Sequence, residues 1–354
     1  MVHSKLLRVA FLAVVVGTSS AQKQADMAAC AACHTEAITQ PQTPMGRALQ
    51  LPGQDLILRE HPILRVHKGA YDYMVQTHGK DSTYTVTDGT RTISVPLNWN
   101  FGVHNQTWIL QWNGNFYESM ISYYASIGGL DTTTGDEQIA PKDIEQAFGR
   151  RISVHDAKAC FGCHTTNSVS GVDLDLATLH PGLACEHCHQ GTEQHLQDIS
   201  DGLVTSIPQP LGKLTAGQQG NFCGQCHRTW EMAVRSHWHG EMTVRFQPYR
   251  LEISKCFNAN DPRIGCLACH DPHLPLSHDL AFYDHKCLAC HAPPNDTTAR
   301  HRAGTASLPM AKACPKATSN CVSCHMPRTR MLGGHLVFTD HDIRIVRPGD
   351  AYPN

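Results

Sequence analysis

The chain has 354 residues, of which 41% are apolar and 17% are charged, and its formal net charge is −2. Both fractions lie below the averages of soluble proteins, and 24 His, 16 Cys, 27 Gly and 20 Pro take up the difference. This composition excludes a coiled coil, a disordered chain and a multi-span membrane protein, and the charge gives no reason to expect a nucleic-acid partner. Large aliphatic side chains are too sparse for an ordinary core, so we expect something other than side chains to fill the interior.

Residues 1–21 have the segment order of a secretory signal peptide. Basic residues Lys5 and Arg8 precede an apolar run at 9–17, and a stretch of small residues ends at Ala21. The apolar run is too short to cross a bilayer, and no later segment is apolar enough to do so. A lipoprotein anchored through the first cysteine is an alternative, although that cysteine lies well past the run. We therefore expect a periplasmic or extracellular protein without stable membrane insertion.

Fourteen of the 16 cysteines form Cys-x-x-Cys pairs, and a histidine directly follows every pair. Structural zinc gives no reason for this histidine, and a thioredoxin-like redox pair would occur once rather than seven times. The pentapeptide is the attachment signature of c-type haem, so we expect seven covalent haem c groups. In chain order, motifs 1 to 7 are Cys30-Cys33-His34, Cys160-Cys163-His164, Cys185-Cys188-His189, Cys223-Cys226-His227, Cys266-Cys269-His270, Cys287-Cys290-His291 and Cys321-Cys324-His325.

The spacing within each motif suits this chemistry. Residues i, i+3 and i+4 share one face of a helical turn. Both thiols can then form thioethers at one edge of a porphyrin, and the imidazole that follows can ligate the iron. We therefore expect each motif to lie on a short helix, with its cysteines binding the haem and its histidine binding the metal.

The placement of the motifs predicts three regions after the signal peptide. Residues 22–59 carry motif 1 alone, residues 60–150 are a β-rich segment ending in a short helix, and residues 151–354 carry the other six motifs. The predicted fold class is a multihaem cytochrome c, with short helices and irregular loops packed around haems and a two-hairpin segment between haem 1 and haem 2. Because porphyrins would supply the missing apolar core, we expect residues 151–354 not to fold without haem.

Turn residues mark the two hairpins of the β-rich segment. In each case a dipeptide that favours tight turns separates two runs of β-forming residues, so we expect two-residue turns. The dipeptides are Asp88-Gly89, within residues 83–95, and Asn113-Gly114, within residues 108–123.

A short helix is expected to close the β-rich segment. Its predicted span is about 141–148, because Pro141 suits the first turn of a helix and Gly149 directly follows the end. The aromatic residues of the segment are expected in its core rather than against a cofactor.

Each iron also needs a ligand on its second face. Setting aside the seven motif histidines and His3 of the signal peptide leaves 16 of the 24 histidines, more than the seven required. We therefore expect bis-histidine coordination, which closes the iron to small molecules and suits electron transfer. His273 follows motif 5 too closely to reach over its own haem and is expected to serve a neighbour. The candidate second ligands are His61, His104, His180, His195, His273, His335 and His341.

Several other residues are weaker candidates. His187 lies inside motif 3, too close to its own porphyrin edge, and Met45 could replace histidine at haem 1, although packing is the simpler role. Cys256 and Cys314 lie outside the motifs, and in an oxidising compartment they predict a disulfide, with a buried free thiol or a thiolate ligand as alternatives. The histidines held in reserve are His155, His237, His239 and His301.

Two stretches carry a family resemblance. The run from Pro181 to His195 resembles the multihaem c-type cytochromes related to the tetrahaem cytochromes of ammonia oxidisers. The ending from Cys321 to Pro327, followed by His335 and by residues 338–341, is similar to the last haem segment of the same broad group, which includes pentahaem nitrite reductases and octahaem enzymes. The resemblance covers roughly residues 150–345 and touches motif 1. It implies closely packed haems, mostly bis-histidine ligation and electron transfer outside the inner membrane.

The motif endings separate this chain from the enzymes of that group. The nitrite reductases attach their active haem through a Lys-ended motif, whereas all seven motifs here end in His. We therefore expect an electron carrier that exchanges electrons with redox partner proteins and has no catalytic residues. One alternative is an enzyme that reduces a small nitrogen or sulfur oxyanion at one open haem. The other is a homo-oligomer or a subunit of a haem-lined filament.

Overall fold

The computed structural model describes residues 27–203, 205–292, 312–331 and 335–353. The predicted signal peptide at 1–21 and the reserve residue His301 lie outside these ranges. Within them, no helix combines the length and the apolar character needed to cross a membrane.

The α-helices of the described ranges are short, with at most 12 residues each. They are α1 (Met27–Ala31), α2 (Glu36–Thr39), α3 (Leu56–Glu60), α4 (Ile144–Phe148), α5 (Val154–His164), α6 (Cys185–Cys188), α7 (Thr192–Ser200), α8 (Ala216–His227), α9 (Trp230–Arg235), α10 (Gln247–Glu252), α11 (Cys266–Cys269), α12 (Leu280–His291) and α13 (Cys321–His325). Further 3-10 turns lie at Gln40–Gln42, Pro52–Gln54, Leu211–Lys213, Gly240–Arg245 and Pro262–Ile264.

Most of the strand residues lie between residues 49 and 152, a region we call the β unit. Its strands are β1 (Leu49–Gln50), β2 (Ile63–Lys68), β3 (Tyr71–His78), β4 (Asp81–Thr87), β5 (Thr92–Leu97), β6 (Trp99–Phe101), β7 (Asn105–Trp112), β8 (Asn115–Ser119), β9 (Ile121–Tyr124), β10 (Gly129–Thr132) and β11 (Gly149–Ile152). The later strands have two or three residues each: β12 (Thr165–Thr166), β13 (Val169–Ser170), β14 (Asp173–Leu174), β15 (His180–Pro181), β16 (Arg328–Arg330) and β17 (Val337–Thr339).

Two antiparallel sheets make up the β unit. Strands β2 to β5 pair in chain order as a four-stranded meander. The second sheet runs β1-β6-β7-β8-β11, with β9 paired to both β7 and β10. Inward side chains alternate with exposed ones along β5, as a half-buried strand requires. The two sheets share one apolar core.

Aromatic side chains are central to that core, which agrees with the role expected for them. Tyr84, Trp108 and Phe148 are fully buried. The ring centre of Tyr84 lies 6.2 Å from that of Trp108 and 5.7 Å from that of Phe148. The Tyr84 hydroxyl donates to the Phe148 carbonyl over 3.2 Å, so helix α4 is fixed to the meander by both packing and a hydrogen bond.

Both predicted hairpins form, and one of the two predicted turns is wrong. In the second hairpin Trp112 pairs with Asn115, and Asn113 and Gly114 have φ of 48° and 74°, as a two-residue type I′ turn requires. In the first hairpin Thr87 pairs with Thr92, so the turn spans residues 88–91 rather than two residues. The Asp88 carboxylate accepts from two backbone N–H groups within this turn, which stabilises the longer loop.

Two further boundaries differ from the sequence-based expectation. The closing helix begins at Ile144 rather than near Pro141, because the Asp143 side chain caps it by accepting from the Gln146 N–H over 2.8 Å. It ends before Gly149 as predicted. The outer strand of the second hairpin stops at Ser119, and the residues that follow form the separate strand β9.

The apolar core becomes sparse after the β unit. Helix α5 packs on the second sheet through a cluster that includes Ile109, Ala157 and Phe161. Further along the described residues, a cluster around Ala233, Phe246 and Tyr249 holds α9 and α10 together. These short helices and long connections are what the sequence predicts for residues 151–354, and their packing around haems stays a prediction.

Candidate metal centres

Every motif places its three functional residues on one helical turn. In motifs 1, 3 and 5 the histidine N–H donates to the carbonyl of the first cysteine, over 2.9 Å for His34, 2.8 Å for His189 and 3.0 Å for His270. The other four motifs lie at the carboxyl ends of α5, α8, α12 and α13, each of which ends at the motif histidine. The two thiols and the imidazole of each motif therefore project from a single turn.

Three motif imidazoles face a second imidazole from a distant part of the chain. The ring centres of His34 and His195 are 6.4 Å apart, those of His189 and His273 are 6.0 Å apart, and those of His270 and His341 are 6.2 Å apart. A metal–imidazole bond is about 2.0–2.1 Å long, so two imidazoles on opposite sides of one metal have ring centres about 6.3 Å apart. These separations fit one iron between the two rings of each pair.

Hydrogen bonds fix the orientation of six imidazoles among the motif histidines and the candidate second ligands. In each, Nδ1 donates to a backbone carbonyl, which defines the tautomer and leaves Nε2 with a lone pair for a metal. Four belong to motifs: His164 to Ala48 (2.8 Å), His189 to Gln209 (3.1 Å), His291 to Lys312 (2.8 Å) and His325 to Arg344 (2.8 Å). Two are candidate second ligands: His195 to Ser206 (2.9 Å) and His341 to Thr339 (3.0 Å).

Burial keeps several of these imidazoles neutral, which is the form that binds metals. Burial lowers the pKa of His341 to about 4. Burial also lowers the pKa of His164 and of His270 below the usual value. The donor set, the tautomers and the ring separations together fit an iron porphyrin ligated by two histidines.

No family model, curated protein or solved structure matches this chain.

Within the described ranges, no three His, Cys, Asp or Glu side chains converge to chelate a bare metal ion.

Most motif thiols with a shifted pKa have surroundings unlike those of redox-active cysteines. Burial raises the pKa of the Cys160, Cys188 and Cys287 thiols to about 11. Reactive cysteines instead have a lowered pKa in electropositive surroundings. The Cys163 and Cys223 thiols differ. A hydrogen bond from Cys226 lowers the pKa of Cys163 to about 7, and one from Cys266 lowers that of Cys223.

Contacts between thiols connect the motifs into a continuous series. Hydrogen-bonded cysteine pairs link motif 1 with 3, motif 2 with 4, motif 4 with 5 and motif 6 with 7. Between motifs 3 and 4, and between motifs 5 and 6, a thiol is near enough to raise the pKa of the other electrostatically. In the same order, the cysteine pairs are Cys30 and Cys185, Cys163 and Cys226, Cys223 and Cys266, Cys287 and Cys321, Cys188 and Cys223, and Cys269 and Cys287.

The structure places the other candidate second ligands elsewhere. His335 Nε2 lies 2.7 Å from the Asp131 carboxylate, and His61 Nε2 lies 3.4 Å from the Tyr123 hydroxyl. His104 is exposed on the loop between β6 and β7. His180 lies on β15, where its Nδ1 is buried without a hydrogen-bond partner. Among the seven candidates in the described ranges, His195, His273 and His341 are those with a ring contact to a motif imidazole.

The two cysteines outside the motifs do not form the expected disulfide. Cys256 and Cys314 are both exposed free thiols. Cys256 interacts electrostatically with the Cys290 thiol of motif 6. The pKa of Cys314 is lowered by hydrogen bonds from the backbone of Lys316 and Ala317. Neither thiol is among the groups that influence the pKa of the other.

Sequence reasoning missed the groups that orient the rings. These are backbone carbonyls, such as those of Ala48, Gln209 and Ser206. Every residue has a carbonyl, so no sequence signal could have identified them. The fully buried pair of Arg250 and Asp340, which lies beside the candidate ligand His341, was also missed.

Proposed function

We propose that this chain is an exported multihaem c-type cytochrome that carries electrons through seven covalently bound haems c. Its partners are redox proteins outside the cytoplasm. The observation that carries the proposal is the set of three imidazole pairs whose ring centres lie 6.0 to 6.4 Å apart, each with one motif histidine. Haem, when bound, supplies reversible one-electron chemistry at its iron.

The paired imidazoles favour electron transfer over substrate binding. With haem bound, His195, His273 and His341 would each occupy the second face that a substrate would need. Their rings are anchored through Nδ1, by carbonyls for His195 and His341, and for His273 by the Asp271 carboxylate at 3.0 Å. Anchored rings reorganise little when the charge on a metal changes, which suits a carrier.

The contacts among motif thiols support a conduit rather than isolated centres. Residues far apart in the chain, such as Cys30 and Cys185, are brought into hydrogen-bonding contact. The helices that carry the motifs are therefore held side by side. This arrangement gives each attachment site at least one neighbouring site.

The distribution of apolar residues also supports a bound prosthetic group. The β unit has an extensive core of its own, whereas the later described residues form small clusters such as that of Ala233, Phe246 and Tyr249. A chain that must order many residues with little apolar burial needs another stabilising component. Covalently bound porphyrins would supply that apolar surface.

EPR spectroscopy of the ferric holoprotein, made in a host with haem-attachment machinery, tests the proposal. We expect low-spin signals to dominate and to stay unchanged when nitrite or hydroxylamine is added. A high-spin signal that responds to either compound would overturn the carrier function in favour of reduction at an open haem. Cys256→Ala serves as a matched control, because it removes a thiol that lies outside the motifs.

A further inference from the structure

A buried cluster of charged residues lies beside the candidate ligand His341. Arg250 of α10 and Asp340 are both fully buried, and the guanidinium binds the carboxylate through two hydrogen bonds of 2.9 and 3.0 Å. Arg344 Nη1 donates to the same carboxylate over 2.6 Å, and Asp342 lies 3.4 Å from Arg250. The cluster therefore holds the chain in place through side-chain contacts on both sides of His341.

Further contacts fix the same segment to α10 and its surroundings. The Ser254 hydroxyl donates to the His341 carbonyl over 3.1 Å and accepts from the Ile343 N–H over 2.8 Å. The Arg250 guanidinium carbon lies 4.7 Å from the centre of the Tyr352 ring. Residues 340–344 belong to no helix or strand, so these side-chain contacts add to the few backbone hydrogen bonds that hold the segment, such as that from the Asp340 N–H to the Pro327 carbonyl over 3.0 Å.

Residues 340–344 contact the histidines of two motifs. His341 faces His270 of motif 5, with ring centres 6.2 Å apart. The Arg344 carbonyl accepts from Nδ1 of His325 of motif 7 over 2.8 Å, and the Arg344 N–H donates to the His325 carbonyl over 3.2 Å. A shift of this segment would therefore change the second ligand of one centre and the ligand orientation of another.

We propose that Arg250 and Asp340 are positioning residues that hold His341 opposite His270 and the Arg344 carbonyl against His325. This inference rests on the proposed function. A buried ion pair stabilises a fold little compared with well-packed apolar residues, whereas its fork geometry specifies one arrangement. Its role here is to align two axial-ligand groups in a segment without regular secondary structure.

Asp340→Asn in the full-length holoprotein tests this inference. We expect one of the seven haems to change from low-spin to high-spin in the ferric EPR spectrum, and the midpoint potential of a second haem to shift. The matched control is Asp55→Asn, because Asp55 is also fully buried and hydrogen-bonded, to Asn100 over 2.8 Å, but lies in the β unit. The control should lower the melting temperature and leave every haem signal unchanged.

A second variant covers the case in which Asp340→Asn does not accumulate. Replacing both partners by apolar residues, Arg250→Met with Asp340→Leu, removes the charges without leaving one unpaired. We expect this double variant to fold, to carry seven haems and to lose the same low-spin signal. Wild-type spectra and potentials in either variant, with all seven haems attached, would overturn the inference. Absence of covalent haem from the wild-type protein would instead overturn the proposed function.

Discussion

The imidazole rings of His189 and His273 lie almost parallel, with an angle of 10° between their planes and 6.0 Å between their centres. Each ring is anchored at Nδ1, His189 by the Gln209 carbonyl and His273 by the Asp271 carboxylate. His273 lies three residues after the end of motif 5, but its ring contacts the histidine of motif 3. Under the proposed function, the loop after one motif would supply the second ligand at another, so the two centres would depend on each other.

Removing His273 should open the iron of motif 3. We expect His273→Ala to convert one low-spin haem of the seven to high-spin, because water is a weaker-field ligand than imidazole. The ferric EPR and visible spectra of the purified holoprotein measure this change. His67→Ala is the control, since His67 is exposed and lies 2.8 Å from Asp72 in the β unit. Identical spectra for the His273 and His67 variants would contradict the ligand assignment.

A large-to-small substitution in the core of the β unit should lower its stability. Phe148 is fully buried and its ring contacts those of Tyr84 and Tyr117. We expect Phe148→Ala to lower the free energy of unfolding by about 3–5 kcal/mol, measured by chemical denaturation followed through tryptophan fluorescence. Val172→Ala, at a side chain that is 84% exposed, should change it by no more than about 0.5 kcal/mol. Equal effects of the two substitutions would contradict this description of the core.

Expression without haem-attachment machinery should separate the two halves of the chain. The β unit has its own apolar core, so we expect a protease-resistant fragment that covers roughly residues 49–152. The residues after it should be digested rapidly, because their apolar clusters are small. Limited proteolysis with mass spectrometry identifies the fragments. Equal protection of both halves would show that the later region folds without porphyrins.

Acid should weaken the contact between the β unit and the segment that carries His335. Burial opposes ionisation of Asp131, but hydrogen bonds from Lys68 and His335 outweigh it and hold the pKa of its carboxyl at about 2. An unfolded aspartate has a pKa of about 3.9, so this stabilisation is present above about pH 4 and is lost as the pH falls towards 2.

Asp131→Asn tests this pH dependence. We expect the variant to be less stable than the wild type at pH 6, and the difference to shrink as the pH falls from about 4 to 2. Urea denaturation at several pH values measures both quantities. A difference in stability that does not change with pH would rule out the Asp131 carboxylate as the source.

Local sequence signals predicted local structure well. Asn113 and Gly114 both require positive φ in a tight turn, and Gly149 allows β11 to approach β8, since a Cβ there would lie 2.3 Å from the Glu118 carbonyl oxygen. The four-residue turn after Thr87 was missed, because the Asp88 side chain rather than the dipeptide decides its length.

The sequence did not predict which imidazoles lie against each other over long distances in the chain. The composition indicates that second ligands are abundant, and it makes His195, His273 and His341 candidates alongside His61, His104, His180 and His335. Which imidazole meets which depends on how the segments between motifs fold, and no spacing rule relates His34 to His195. His335 instead forms a hydrogen bond with Asp131 of β10, and this contact depends on the fold of the β unit.

The intact mass of the purified, secreted holoprotein tests the central claim most directly. We expect a mass that exceeds that of the processed polypeptide by seven haem groups, together with a strong Soret absorption band. Cys256→Ala should retain all seven haem groups. A mass equal to that of the bare polypeptide, without Soret absorption, would contradict covalent haem attachment.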